Sequence, residues 1–132
     1  MTLEQQVCSL ELAKKLKDLG VKQESYFRHV RLSDKPDLTE DWYILDRKPT
    51  DYIEIVSAFT VAELGEMLPD NFHTYRKGGD KQYWCGMDIK LYYIKDSDWW
   101  NHEEAPTEAD ARAKMLIYLL ENNLTPASQE KE

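Results

Sequence analysis

Two short stretches, Thr60-Val61-Ala62-Glu63-Leu64 and Thr107-Glu108-Ala109-Asp110-Ala111, each place a threonine three residues ahead of an acid where an apolar helical pattern begins. This is the spacing of a capping box, in which the hydroxyl and the acid satisfy amide donors that a helix start leaves orphaned. Two helix starts are thereby fixed, and the mixed segments around them read as strands. The chain is constrained to an alternation of helix and sheet, and it specifies architecture far more than activity.

The helical spacing of Leu10, Leu12, Ala13, Leu16 and Leu19 predicts an amphipathic helix from Ser9 to Gly20, with Ser9 as N-cap or an earlier start at Thr2. Gly20 ends it, because glycine takes the left-handed conformation at little steric cost, and Val21 closes the hydrophobic contact that follows. Strands are predicted over Tyr26 to Leu32, Asp41 to Leu45 and Tyr52 to Val56, divided by proline-bearing turns at residues 33–37 and 46–50. A second helix runs from Val61 to Leu68 and stops before Pro69.

Phe72 to Arg76 and Lys81 to Ile94 flank the glycine pair of Lys77-Gly78-Gly79-Asp80, the pattern of a β-hairpin. An acidic, aromatic loop is expected after it. The last helix begins at Thr107, and its Met115-Leu116-Ile117-Tyr118-Leu119-Leu120 run is apolar on nearly every side, which requires deep packing against the sheet and another helix or subunit. The expected fold is one α+β domain over residues 1–124, a largely antiparallel sheet of four or five strands with about three helices packed mainly on one face. Residues 125–132 read as a frayed polar tail.

At 132 residues, 42% apolar and 32% charged, the chain can bury one sizeable core. Its 25 acids against 17 bases give a formal charge of −8, which opposes nonspecific attraction to nucleic acid or an anionic membrane. Cys8 and Cys85 lack metal-ligand spacing and read as free thiols in a reducing cytosol. The start of the chain lacks the pattern of a secretory signal, and nothing approaches the ~20 apolar residues of a membrane helix. A cytoplasmic protein is expected, with no membrane association, no metal and no cofactor.

In Val7 to Leu16, in Phe59-Thr60-Val61-Ala62-Glu63-Leu64-Gly65-Glu66-Met67-Leu68-Pro69 and in Thr107 to Glu121, the chain resembles a family of small uncharacterised phage- and prophage-encoded bacterial proteins. The resemblance spans most of the chain. It implies a bacterial or phage cytosolic setting and carries no catalytic residues with it.

Candidate chemistry is sparse. His29, His73 and His102 stand in no HExxH, GxSxG or comparable arrangement, and Gly78-Gly79 lacks the rest of a phosphate loop. His102 with Glu103 and Glu104 reads as a solvated loop. Leu12 to Val21 looks like the start of a helix-turn-helix, with Lys14, Lys15 and Lys17 as its basic face. A strand-like segment follows where a recognition helix should, however, so DNA binding is the runner-up.

The aromatic residues are the better lead. Tyr83, Trp84, Tyr92, Trp99 and Trp100 fall within eighteen residues among Asp96, Asp98, Glu103 and Glu104, and such side chains concentrate at contact surfaces as well as in cores. No catalytic residue is assigned. The sequence therefore points to a non-enzymatic protein that binds a protein partner or associates with itself through these aromatics and the last helix. Mimicry of nucleic acid by the acidic surface and a small enzyme with dispersed site residues are weaker alternatives.

Overall fold

The computed structural model describes residues 2–31, 42–68, 72–76, 83–88 and 100–122. The elements in chain order are α1 (Leu3–Gln6), α2 (Leu10–Asp18), β1 (Phe27–Arg31), β2 (Tyr43–Leu45) and β3 (Glu54–Ala58), then α3 (Val61–Met67), β4 (Phe72–Arg76), β5 (Tyr83–Asp88), β6 (Trp100–Ala105) and α4 (Glu108–Glu121). The mixed helix and strand content is the α+β class expected.

The helix starts follow the residues that announce them, with one departure. Thr60 and Glu63 form a complete box: the Glu63 amide donates to Thr60 Oγ1 at 3.2 Å and the Thr60 amide to Glu63 Oε1 at 2.9 Å. Thr2 and Gln5 build the same device at α1, so the first helical region is two helices, with Ser9 as N-cap of the second. At α4 the box is only half made. Thr107 Oγ1 accepts from the Asp110 amide at 3.1 Å, but the Asp110 carboxylate turns to the Ser9 amide at 2.7 Å, across 101 residues of sequence.

α2 ends as its glycine dictates. Gly20 sits at φ +92°, its amide donates to Lys17 O, and the Val21 amide donates to Leu16 O at 3.1 Å, the two bonds of a Schellman turn. Val21 and Leu16 both join the hydrophobic core.

The single sheet expected from the sequence is instead two three-stranded antiparallel sheets, ordered β2-β1-β3 and β4-β5-β6. The outer edge of β3 is closed by side chains. Lys17 Nζ donates to Ile55 O at 3.1 Å, and the Ser57 amide donates to Gln23 Oε1 at 2.9 Å, so backbone groups that would recruit a fourth strand are already satisfied. The acidic, aromatic loop expected before the last helix is corrected as well, since Trp100–Ala105 forms β6 and pairs with β5 from Asp88↔Trp100 to Tyr83↔Ala105. Its sequence, Trp-Asn-His-Glu-Glu-Ala, has no β-branched residue or clean alternation, and cross-strand pairing overrides that weak local signal. The Lys77 to Asp80 turn, the turn at 33–37, the distal arm from Ile89 to Ile94 and the tail at 125–132 lie outside the described residues.

α4 organises the core. Ala109, Ala111, Ala113, Met115, Leu116, Ile117 and Leu119 are all buried, and the helix touches α1, α2, α3 and every strand of the second sheet. α2 bridges it to β3. The burial that the sequence left open to another subunit is therefore met within the chain. Arg112 locks this arrangement by donating to Thr74 Oγ1 on β4, to Val61 O on α3 and to Glu108 Oε2 one turn back, at 3.1, 2.9 and 2.9 Å. Among the described residues no helix is long and apolar enough to cross a membrane.

Gly20 gives a direct check. A Cβ there meets no heavy atom within 4 Å, so Gly20→Ala isolates the backbone cost of positive φ. It is expected to lower the unfolding free energy by about 1 kcal/mol in chemical denaturation, with Gly20→Asn losing less because asparagine tolerates that conformation.

Candidate interaction surface

Of the five aromatic candidates, the side chains described are those of Tyr83 and Trp84, and both are half-buried. Tyr83 packs against the core cluster and shares its side of β5 with buried Cys85. Trp84 is half-buried and has the opposite parity, paired in register with Tyr75 and Glu104. Trp100 opens β6 opposite Asp88, while Tyr92 and Trp99 lie outside the described residues.

His29, Cys8, Cys85 and Asp110 are buried or half-buried among the described residues and are held within the fold. His29 is 6% exposed, and its Nε2 lies 2.8 Å from Cys8 O. A carbonyl only accepts, so Nε2 carries the proton. The Cys8 amide in turn donates to Phe59 O at 2.9 Å, and Val7 bridges to Thr60, so residues 7–9 are strapped between β1, the β3–α3 connection and α4. Burial pushes the Cys8 thiol up to about 12 and the Cys85 thiol up to about 11, which leaves both protonated at neutral pH. Burial also lowers the His29 pKa from 6.5, with the Cys8 carbonyl and the Asp110 charge opposing, and it raises the Asp110 pKa from 3.8 against the Ser9 contacts. Among the described residues no group of three or more His, Cys, Asp or Glu residues is arranged to hold a metal ion.

The three lysines of the expected basic face are dispersed among different contacts. Lys14 Nζ lies 4.8 Å from the Trp42 ring centroid, Lys15 pairs with Glu121 of α4 at 3.5 Å, and Lys17 caps the Ile55 carbonyl. The element after α2 is β1 and the described element after α3 is β4, so no recognition helix follows either among the described residues.

A different surface emerges between α3 and the segment that joins α2 to β1. The Schellman turn throws the chain out of α2 at Val21. Gln23 then pins it to β3 through the Ser57 amide, and Glu63 Oε2 holds it to α3 by accepting from the Tyr26 amide at 3.0 Å. Glu63 thus serves its helix cap with one oxygen and the linker with the other. Between these fastenings runs an open groove of about 220 Å³ with Val21, Phe59 and Met67 as apolar lining and Glu24, Glu63, Glu66 and Lys22 as charged lining.

Tyr26, 74% exposed, is not part of the lining but adjoins it through the bond from its amide to Glu63. Ile53 is the other exposed large apolar residue among those described, but it precedes Glu54, which pairs with Arg31 at the far end of β1, so the two form no common patch. Sequence reasoning missed this surface because its residues come from two unrelated segments. The one signal present was Glu63, read as a capping acid alone.

The chain matches no known protein family, no curated protein and no solved structure.

Two outcomes follow from the buried groups. Neither thiol is expected to react with Ellman's reagent at pH 8 in the native protein, and both should react on addition of denaturant; rapid native labelling would contradict their burial. Folded His29 takes up its proton less readily than the unfolded chain, so its contribution to stability is complete above about pH 6.5 and is lost as pH falls through its lowered folded value. Asp110 acts in the opposite sense, its contribution complete below pH 3.8 and lost as pH rises through its raised folded value. His29→Gln retains an amide donor for Cys8 O without the titration. Denaturation midpoints measured from pH 7.5 to 5 should therefore fall less steeply for this variant than for the native chain.

Proposed function

We propose that the protein works by binding another macromolecule through the groove between α3 and the α2–β1 linker, with Tyr26 as its exposed contact residue. The observation that carries this reading is the 74% exposure of Tyr26, whose amide is bonded to Glu63 of the groove, where the large apolar side chains among the described residues are otherwise mostly covered. Tyrosine gives wide contact area with few rotatable bonds and a polar end, which makes it a frequent energetic anchor at interfaces. Binding to a partner is favoured over self-association through the last helix, because α4 spends its apolar surface inside its own chain. The buried, protonated thiols and the carbonyl-bound His29 support a binding role over a nucleophilic one. A bacterial or phage setting, implied by the sequence resemblance, belongs to the same proposal.

Affinity capture from bacterial extract with the native protein and Tyr26→Ala, alongside light-scattering mass, tests this reading. A monomer is expected that retains a protein lost by the variant, with equal thermal midpoints for both because Tyr26 is exposed. Equal retention by the two proteins, or a dimer that retains nothing, would overturn it.

A further inference from the structure

We infer that the groove takes a cationic segment of a partner protein, one that sets an apolar side chain on the partly buried Val21 and Met67 and a lysine or arginine against Glu66. Size is the first ground. A volume of about 220 Å³ falls below the roughly 300–1,000 Å³ of sites that enclose small-molecule ligands, and it suits one or two side chains presented by a peptide.

Charge is the second ground. Three carboxylates line the groove against one ammonium. Lys22 is spent on Glu24 at 3.3 Å, with both side chains largely in water, and the two oxygens of Glu63 are held by the Thr60 and Tyr26 amides. Glu66 is exposed and makes no ion pair among the described residues. It stands in the last turn of α3, which carries no basic residue to offset the negative carbonyl end of the helix. A positive side chain beside an apolar one meets both properties of the site at once.

The same charge argues against other occupants. A second copy of this chain would bring a net charge of −8 to an acidic rim, and nucleic acid would bring phosphates.

Because the inference rests on the binding reading proposed above, its test is made independent of the natural partner. The isotope-labelled protein is titrated, with amide shifts as readout, against a capped peptide of alternating leucine and arginine. The controls are the same peptide with glutamate in place of arginine and with serine in place of leucine. Shifts are expected at Val21 to Glu24 and at Phe59 to Met67 with the first peptide, and both controls should bind more weakly. Glu66→Lys should weaken the first peptide roughly two- to five-fold, since exposed charge pairs are individually modest, and added salt should weaken it further.

Equal response to the glutamate peptide, shifts centred elsewhere, or an unchanged affinity in Glu66→Lys would overturn the inference. If Tyr26-dependent capture persists in that event, the binding reading survives with a partner of other chemistry. If capture is independent of Tyr26, the binding reading falls on its own.

Discussion

The bond from the Ser9 amide to the Asp110 carboxylate, 2.7 Å long and half-buried, holds the two ends of the described fold together. Asp110 occupies the position from which a capping acid ordinarily reaches back to its own helix start, yet its oxygens serve the start of α2. One carboxylate thereby joins two helix N-termini: its own residue stands in the first turn of α4, and Ser9 is the N-cap of α2. The negative charge is favourable at both amino ends, which offsets part of the cost of removing it from water. The cost is still visible in the raised Asp110 pKa.

From that junction the remaining contacts follow in order. With Ser9 fixed, Cys8 is held on one side by Phe59 O and on the other by His29, so the strap enters the core at a set depth. α4 can then present three alanines to close neighbours and its larger residues to the rest of the core, as small and large side chains must alternate for helices to approach. Arg112 completes the frame from the far side by bonding groups on α3, β4 and α4 with one planar fork, a geometry lysine does not reproduce.

What could be read from the sequence was local. Thr60, Thr107 and Gly20 marked helix ends because capping is a matter of a few adjacent residues, and the glycine pair after Phe72 to Arg76 marked that segment as the arm of a hairpin. What escaped was set by distant partners. Trp100 to Ala105 carries little β signal and is a strand because β5 lies beside it. The closure of the β3 edge depends on Lys17 and Gln23 reaching that strand from elsewhere, which no window along the chain contains. The aromatic cluster drew attention by composition, whereas the groove drew none, since Tyr26 and Met67 are unremarkable until folding sets their segments side by side. Glu63 was read correctly as a cap and incompletely as a clamp, because its second oxygen serves an amide 37 residues away.

The side-chain closure of β3 has a consequence for how this protein behaves in a crowded cell. An open strand edge is a template on which another copy, or any unfolded chain, can add backbone to backbone, the first step toward ordered aggregates. Here two such groups are taken by a lysine and a glutamine borne on a helix and a linker. A foreign strand would have to displace both, and in doing so would meet the ammonium of Lys17 against its own backbone. Resistance to fibril growth at this edge is thus carried by residues outside the sheet, and it lasts only as long as α2 and its linker remain docked.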